Sequence, residues 1–189
     1  MSDELENFAR QRRLINELVQ TNMDSFLNYG FLSLQWWLLL AFLILPWVLW
    51  LKIARKHRLL ETVLVGTIVI ILTTLHDWVG YNFNFWDYPV EIVPLLPGAL
   101  PFDLSVVPVA YMLLYQFCLT WKSYLIGLGC MTFIYAFIGE PFANWMELVV
   151  YFKWSSIYSV IYYIFTGVVV RASVDKLAAV SIPAQRVKG

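Results

Sequence analysis

The chain has 189 residues, of which 60% are hydrophobic and 14% are charged, and its thirteen basic and thirteen acidic residues give no net charge. This composition is typical of an integral membrane protein and excludes an ordinary soluble domain. The balanced charge gives no indication of a nucleic-acid partner, and the two cysteines have no spacing that favours a disulfide framework.

The N-terminal segment, residues 1–30, is predicted to form an amphipathic helix. Its apolar residues recur at spacings of three and four, as do Ile15, Leu18 and Val19. Because the segment is charged and has no continuous apolar stretch, we expect no cleaved signal peptide there. We expect the helix to lie at the membrane surface or against the bundle, and contact with a partner subunit is the alternative.

Five apolar segments follow, and each is predicted to be a transmembrane helix of an all-α membrane bundle that covers residues 31–171. The predicted spans are residues 34–53, 59–75, 104–121, 123–139 and 154–170. The first has about 20 residues, the length that a hydrocarbon core of roughly 30 Å requires. Residues 172–189 are predicted to be a basic tail.

Basic residues are distributed unequally between the two ends of the predicted bundle. Four lie on the side of the N-terminus: Arg10, Arg12, Arg13 and Lys153. Nine lie on the other side: Lys52, Arg55, Lys56, Arg58, Lys122, Arg171, Lys176, Arg186 and Lys188. Because basic segments stay in the cytoplasm, the N-terminus is predicted outside and the C-terminus inside.

A long connector separates the second and third spans, from His76 to Asp103, with the sequence HDWVGYNFNFWDYPVEIVPLLPGALPFD. It is rich in proline and aromatic residues and too apolar for a solvated loop. Loops of this length are usually functional or folded onto their neighbours. We predict that the connector covers the outer mouth of the bundle as a lid or a re-entrant segment, and an aromatic belt that only seals the helix ends is the alternative.

Acidic residues cluster at the predicted outer end, where Lys153 is the one accompanying base. The six acids are Asp77, Asp87, Glu91, Asp103, Glu140 and Glu147. Asp103 is placed to cap the third helix, and capping is also the alternative for His76 and Asp77. Glu140 precedes Pro141 at a predicted helix C-terminus, where the helix dipole disfavours a negative charge. It therefore needs a partner such as Lys153, His76 or a bound cation, or a raised pKa.

These residues predict an extracytoplasmic acidic and aromatic pocket that binds a lipid, a small ligand or a cation. The candidate ligand-binding residues are His76, Asp77, Trp86, Asp87, Tyr88, Asp103, Gln116, Glu140, Trp145 and Lys153. Gln116 is included with Tyr111 and Tyr115 as a polar layer that either lines a cavity or joins helices. With only two histidines, placed on opposite sides, a multi-histidine metal site is excluded.

The alternative function is a membrane-embedded enzyme that acts on a lipid or isoprenoid substrate. Asp103 or Glu140 would be its general acid and His76 its partner. A transporter is not supported, because no ionisable residue marks the midplane of the predicted bundle. Membrane lipids are the expected partners, together with a second copy of the chain or a partner membrane subunit.

The blocks HDWVGYNFNFWDYP, PFDLSVVPVAYMLLYQ, WKSY, GEP and YFKWSSIYSVIYY, between Leu59 and Phe165, carry a resemblance to a known family. They resemble a family of small, mostly uncharacterised multi-pass membrane proteins of endospore-forming Gram-positive bacteria such as bacilli and clostridia. The resemblance implies about five helices and a location in the bacterial cytoplasmic membrane, and it brings no known activity.

A fainter similarity links the chain to heterodimeric carotenoid cyclases. The chain departs from that family in LPFDLS, which has a single acid where the cyclases have adjacent acids.

Overall fold

The computed structural model describes residues 3–94, 96 and 98–186, with side chains up to residue 180. About 81% of it is helical, so the prediction of an all-α protein is confirmed. The helices, in chain order, are α1 Asp3–Ser25, α2 Leu34–Ile53, α3 Leu59–Asn82, α4 Val107–Phe117, α5 Trp121–Ile134, α6 Glu140–Trp145 and α7 Ser156–Arg186.

Wide turns of the π type extend three of these helices. They are Phe26–Gly30 after α1, Phe102–Val106 before α4 and Tyr135–Gly139 between α5 and α6. The third wide turn joins α5 and α6 into one continuous helical segment, Trp121–Trp145. Two strands of two residues each, β1 Trp86–Asp87 and β2 Val150–Tyr151, pair antiparallel with Trp86 opposite Tyr151.

In the described part of the chain, four helical segments are long and apolar enough to span a membrane. They are Leu34–Ile53, Lys56–Asn82, Trp121–Trp145 and Ser156–Val180. The helical segment Phe102–Phe117 is apolar but shorter. The third predicted span was residues 104–121, and the structure ends that helix four residues earlier, at Phe117.

Three other boundaries differ from the prediction. Helix α3 continues seven residues past the predicted end at Leu75, so His76 and Asp77 lie within it rather than at its exit. The fourth predicted span, residues 123–139, continues to Trp145. The predicted tail from residue 172 is helical as far as Arg186, and residues 187–189 lie outside the described residues.

Two of the three wide turns lie just before a proline. Their geometry explains why the proline does not break the helix there. A proline inside a helix clashes with the carbonyl four residues earlier and leaves it without a donor. For Pro108 that carbonyl is the one of Leu104, in the wide turn before α4, and the Trp47 indole donates to it at 2.8 Å. For Pro141 the carbonyl belongs to Phe137, which lies in the wide turn Tyr135–Gly139.

The main core lies between α3, α4, α5 and α7. Helix α4 packs against α3, and α7 packs against both α3 and α5. Val69, Tyr111, Met112, Tyr124 and Leu128 are fully buried there. By contrast α1 buries no residue, and its contacts are with the wide turn that follows it.

The connector between α3 and α4 folds onto the helix ends. Strand β1 pairs with β2, which follows α6, and the carbonyl of Phe85 accepts from the amides of Phe152 and Lys153. The Trp36 indole of α2 donates to the carbonyl of Ile92 at 3.0 Å. The connector, the loop between α6 and α7, and α2 are thereby joined at one end of the bundle, which we call the hairpin end.

Candidate functional site

A cavity of about 200 Å³ lies at the hairpin end, between the helices and beneath the paired strands. We call it the acidic cavity, because Asp77, Asp103 and Glu140 all contribute to its lining. Its other polar lining residues are Thr73, His76, Ser159 and five tyrosines, and its walls include Trp86 and Trp154. Among the described residues, its lining contains no lysine or arginine.

Asp77 is held by two donors from the connector. The Trp86 indole donates to Asp77 Oδ1 at 2.8 Å, and the Tyr88 hydroxyl donates to the same oxygen at 2.5 Å. Burial, followed by the nearby Asp77 charge, raises the pKa of Tyr88 well above its usual value of 10, so this hydroxyl keeps its proton at neutral pH. These two hydrogen bonds therefore attach the connector to α3 through the buried side chain of Asp77.

Close packing of Trp86 on α3 depends on Gly80. A Cβ atom at Gly80 would lie 1.9 Å from Cζ2 of Trp86, closer than any real contact allows. The indole ring therefore occupies the space where another residue would have its side chain. Glycine at this position lets Trp86 reach Asp77, which lies three residues earlier on the same helix.

Glu140 is held by two donors from α7. The hydroxyl of Ser159 donates to Oε2 at 2.9 Å, and the hydroxyl of Tyr163 donates to Oε1 at 3.1 Å. The Trp154 indole donates in turn to the Ser159 oxygen at 2.7 Å. The prediction that Glu140 ends a helix is wrong, because the helical segment continues to Trp145 and Glu140 points into the bundle.

Asp103 is the carboxylate with spare hydrogen-bonding capacity. It is 7% exposed, and its Oδ2 is buried without a hydrogen-bond partner among the described residues. Its backbone amide donates to the carbonyl of Ala99, and it lies inside the wide turn before α4. The side chain therefore faces the acidic cavity rather than capping the helix, and a buried oxygen of this kind is costly unless something else binds it.

His76 lies among aromatic rings. It stacks on Tyr162 with ring centroids 3.8 Å apart and planes 12° apart, and it also contacts Trp86 and Trp154. Among the described residues, no hydrogen bond joins His76 to Asp103 or Glu140. The ring is therefore placed as part of the cavity wall rather than as the acid–base partner of a carboxylate.

The structure brings six of the predicted site residues together at the acidic cavity: His76, Asp77, Trp86, Tyr88, Asp103 and Glu140. Asp87 is exposed on β1, and its Oδ1 accepts from the Tyr88 amide. Trp145 is 74% exposed and does not contribute to the lining. Lys153 is exposed and forms no ion pair with Glu140 in the described structure.

Gln116 lies at the opposite end of the bundle, so its inclusion in the predicted pocket is wrong. Its side chain accepts from the Arg55 amide at 3.1 Å and donates to the carbonyl of Ile53 at 2.9 Å. Arg58 and Arg171 lie at this end as well, where both contact the ring of Tyr115. We call this the arginine end.

Sequence reasoning did not assign Ser159, Tyr163 and Trp154 to the site. Ser159 and Tyr163 lie four residues apart and therefore share a helix face, which is a signal that the sequence contains. Nothing in the sequence places the face that carries Ser159 opposite Glu140.

Among the described residues, no three His, Cys, Asp or Glu side chains are grouped closely enough to hold a metal ion. The three carboxyl groups of the acidic cavity are therefore separate acidic groups around an aromatic space. Such walls suit an organic cation, which a carboxylate attracts by charge and an aromatic face attracts through its quadrupole.

The fold and the cavity define this chain as an all-helical membrane protein with a buried acidic site. Compared with known proteins, it matches no family model, no curated protein and no solved structure.

Proposed function

We propose that the acidic cavity is the binding site for a small organic cation, an ammonium group in chemical terms. The observation that carries the proposal is the composition of the lining, which has three carboxyl groups and, among the described residues, no lysine or arginine. Acidic groups inside a membrane protein are expensive and are usually compensated by a partner. A bound ammonium group would supply that partner.

Asp103 supplies the ion contact in this proposal. Asp77 and Glu140 each accept two hydrogen bonds from neutral side chains, whereas Oδ2 of Asp103 is buried and has no hydrogen-bond partner among the described residues. The aromatic rings of Trp86, Trp154 and Tyr162 would then surround the cation. Contacts of this kind contribute about 0.5–2 kcal/mol each, with the higher values at desolvated sites.

We further propose that the protein lies in the bacterial cytoplasmic membrane, with five spans and with the hairpin end outside. Three observations support this arrangement: the family resemblance of the sequence, the four long apolar helices and the surplus of basic residues at the arginine end. In this arrangement Phe102–Phe117 is the additional span, and it is shorter than the other four. The acidic cavity would then be reached from outside or from the outer leaflet.

The test is a binding measurement with tetramethylammonium on protein in lipid nanodiscs. The double variant Asp103→Asn, Glu140→Gln keeps the shape of both side chains and removes two charges. We expect its dissociation constant for tetramethylammonium to rise at least about tenfold, which corresponds to about 1.4 kcal/mol. Isothermal titration calorimetry against empty nanodiscs measures this change.

The matched control is the double variant Asp87→Asn, Glu147→Gln, which removes two exposed acids of the hairpin end. We expect this control to bind tetramethylammonium within about twofold of the natural protein, because salt and solvent screen exposed charges. An equal loss in both double variants would mean that net charge, not the cavity, attracts the cation. No binding by the natural protein would reject the proposal.

The enzyme alternative has weaker support from the geometry. It requires His76 within hydrogen-bond reach of Asp103 or Glu140, and the described contacts of His76 are with aromatic rings. Structural capping as the sole role of the carboxylates also has little support, since their donors are an indole and hydroxyls of other elements rather than backbone amides.

A further inference from the structure

We infer that the ligand of the acidic cavity is an amphiphile, whose ammonium head occupies the cavity and whose apolar chain lies in a groove on the membrane-facing side of α7. This inference rests on the proposed function and names the class of ligand more narrowly. The groove is lined by Phe85, Lys153, Trp154, Tyr158, Ile161, Tyr162 and Phe165.

The groove and the acidic cavity share two wall residues, Trp154 and Tyr162. One pair of aromatic side chains therefore separates them. Both rings contact His76 on the cavity side, and Trp154 contacts Tyr158 on the groove side. A ligand that passes between the rings of Trp154 and Tyr162 would occupy both the acidic cavity and the groove.

The groove is open, and its floor is apolar. Ile161 is 62% exposed, and Tyr158 and Phe165 are exposed as well. These residues lie on α7, one of the helices long and apolar enough to span a membrane, so lipid chains are the surroundings that such a face meets. The stretch from Tyr158 to Phe165 is roughly 10 Å long at the helical rise per residue.

The acidic residues of the cavity determine the orientation of the bound ligand. A cationic head is attracted to the three carboxylates of the cavity, whereas the apolar chain finds no such groups in the groove. The cavity, at about 200 Å³, is large enough for a head group and too small for a whole lipid. The rest of the molecule must therefore lie elsewhere, and the groove is the adjoining apolar space.

The amphiphile we infer is a phosphoethanolamine lipid, because Lys153 lines the groove and its ammonium group would pair with the phosphate. A simple alkylammonium has no phosphate for Lys153 to bind. Lys153→Gln should therefore weaken the binding of lysophosphatidylethanolamine and leave the binding of octyltrimethylammonium unchanged. If the variant weakens neither ligand, or weakens both equally, the phospholipid is rejected as the occupant.

The deciding experiment compares tetramethylammonium with octyltrimethylammonium on the full chain in nanodiscs, with empty nanodiscs subtracted. We expect the octyl compound to bind at least about tenfold more tightly, because its chain is transferred onto apolar protein surface. In the variant Ile161→Trp, whose larger ring fills the groove, this gain should fall to about twofold or less while tetramethylammonium binds as before.

The matched control is Ile157→Trp. Ile157 is 64% exposed on the same helix, one turn before Ile161, and does not line the groove. We expect this variant to keep the full gain from the octyl chain. Both substitutions are at exposed positions, and equal unfolding midpoints of the two variants verify that the fold is preserved.

The failures of the two proposals are distinguishable. If tetramethylammonium binds but the octyl chain adds no affinity, or adds it equally in Ile161→Trp, the amphiphile is rejected and the cation site stands. If tetramethylammonium does not bind at all, the proposed function fails, and the inference about the chain fails with it.

Discussion

Arg171 shows how a single buried charge is accommodated in the bundle. It is 3% exposed, and its two terminal nitrogens donate to the carbonyls of Cys118 and Leu119 at 2.8 Å each. These carbonyls follow the last residue of α4, where a helix leaves acceptors without intrahelical donors. The guanidinium also lies over the rings of Trp121 and Tyr124. Arg171, a residue of α7, thus donates hydrogen bonds to the carbonyl groups at the C-terminal end of α4.

Arg171→Met should destabilise the protein by roughly 2–3 kcal/mol, because charged hydrogen bonds to two carbonyls are lost while much of the side-chain volume is kept. The control is Lys176→Met on the same helix, since Lys176 is exposed and its loss should change stability by less than about 0.5 kcal/mol. Unfolding in detergent mixtures measures both. Equal stability of the two variants would show that the contacts of Arg171 are not stabilising.

At the scale of elements, the attachment of the connector to α3 determines the shape of the acidic cavity. Trp86 of β1 lies against Gly80 of α3, donates to Asp77 and stands opposite Tyr151 of β2. The buried Trp86, Leu148 and Val149 form a second apolar cluster with Leu39 and Ala143. The two-residue strands are too short to be stable alone, so side-chain packing must stabilise this arrangement.

Gly80→Ala should therefore lower stability by about 1–3 kcal/mol, since the added methyl group displaces the Trp86 ring. Gly129→Ala is the matched control: Gly129 is also helical, and a Cβ there meets nothing within 4 Å. That substitution should be neutral or stabilising by up to about 1 kcal/mol, because alanine favours a helix over glycine. Thermal unfolding of both variants decides, and a stable Gly80→Ala protein would contradict the role given to Trp86.

At the scale of the whole molecule, the two ends of the bundle differ in their charged residues, which are basic at one end and acidic at the other. The arginine end contains Arg55, Arg58 and Arg171, and the hairpin end contains the carboxylates of the cavity. The distribution of basic residues predicts that the arginine end lies in the cytoplasm. This orientation can be tested independently of any ligand.

In a variant without Cys118 and Cys130, a single cysteine at Glu147→Cys should react with a membrane-impermeant maleimide added to intact bacterial cells. A single cysteine at Lys56→Cys should react only after lysis. Both positions are exposed, so accessibility within the protein is matched. Labelling of Lys56→Cys in intact cells would reverse the orientation and place the acidic cavity on the cytoplasmic side.

The sequence was sufficient to locate the four long apolar helices, because their length and hydropathy are local properties. The first span, 34–53, coincides with α2. Acidic residues at the hairpin end were also predicted to form a pocket, and Asp77, Asp103 and Glu140 do line one cavity. Residues of a site can be predicted in this way when they are recognisable from their charged side chains alone.

The remaining features depend on tertiary contacts that no local pattern contains. Pro141 predicts a helix end, yet the helical segment continues through it to Trp145, because the preceding residues form a wide turn. Glu140 therefore lies inside the helical segment and lines the cavity. Gln116 was grouped with the tyrosines of its helix, and its carbonyl partner at Ile53 placed it at the other end. Such wide turns are common near functional sites, and their position follows from packing rather than from composition.

The hydrogen-bond donors to Glu140 come late in the sequence, and this position affects how the protein assembles during its synthesis. Asp77 meets its donors nine and eleven residues later, whereas the donors to Glu140 come nineteen and twenty-three residues later, on the final helix. During synthesis Glu140 therefore enters the bilayer before Ser159 and Tyr163 have emerged. Until α7 is inserted, this acid has neither donor, so biogenesis is complete only when the last helix joins the others.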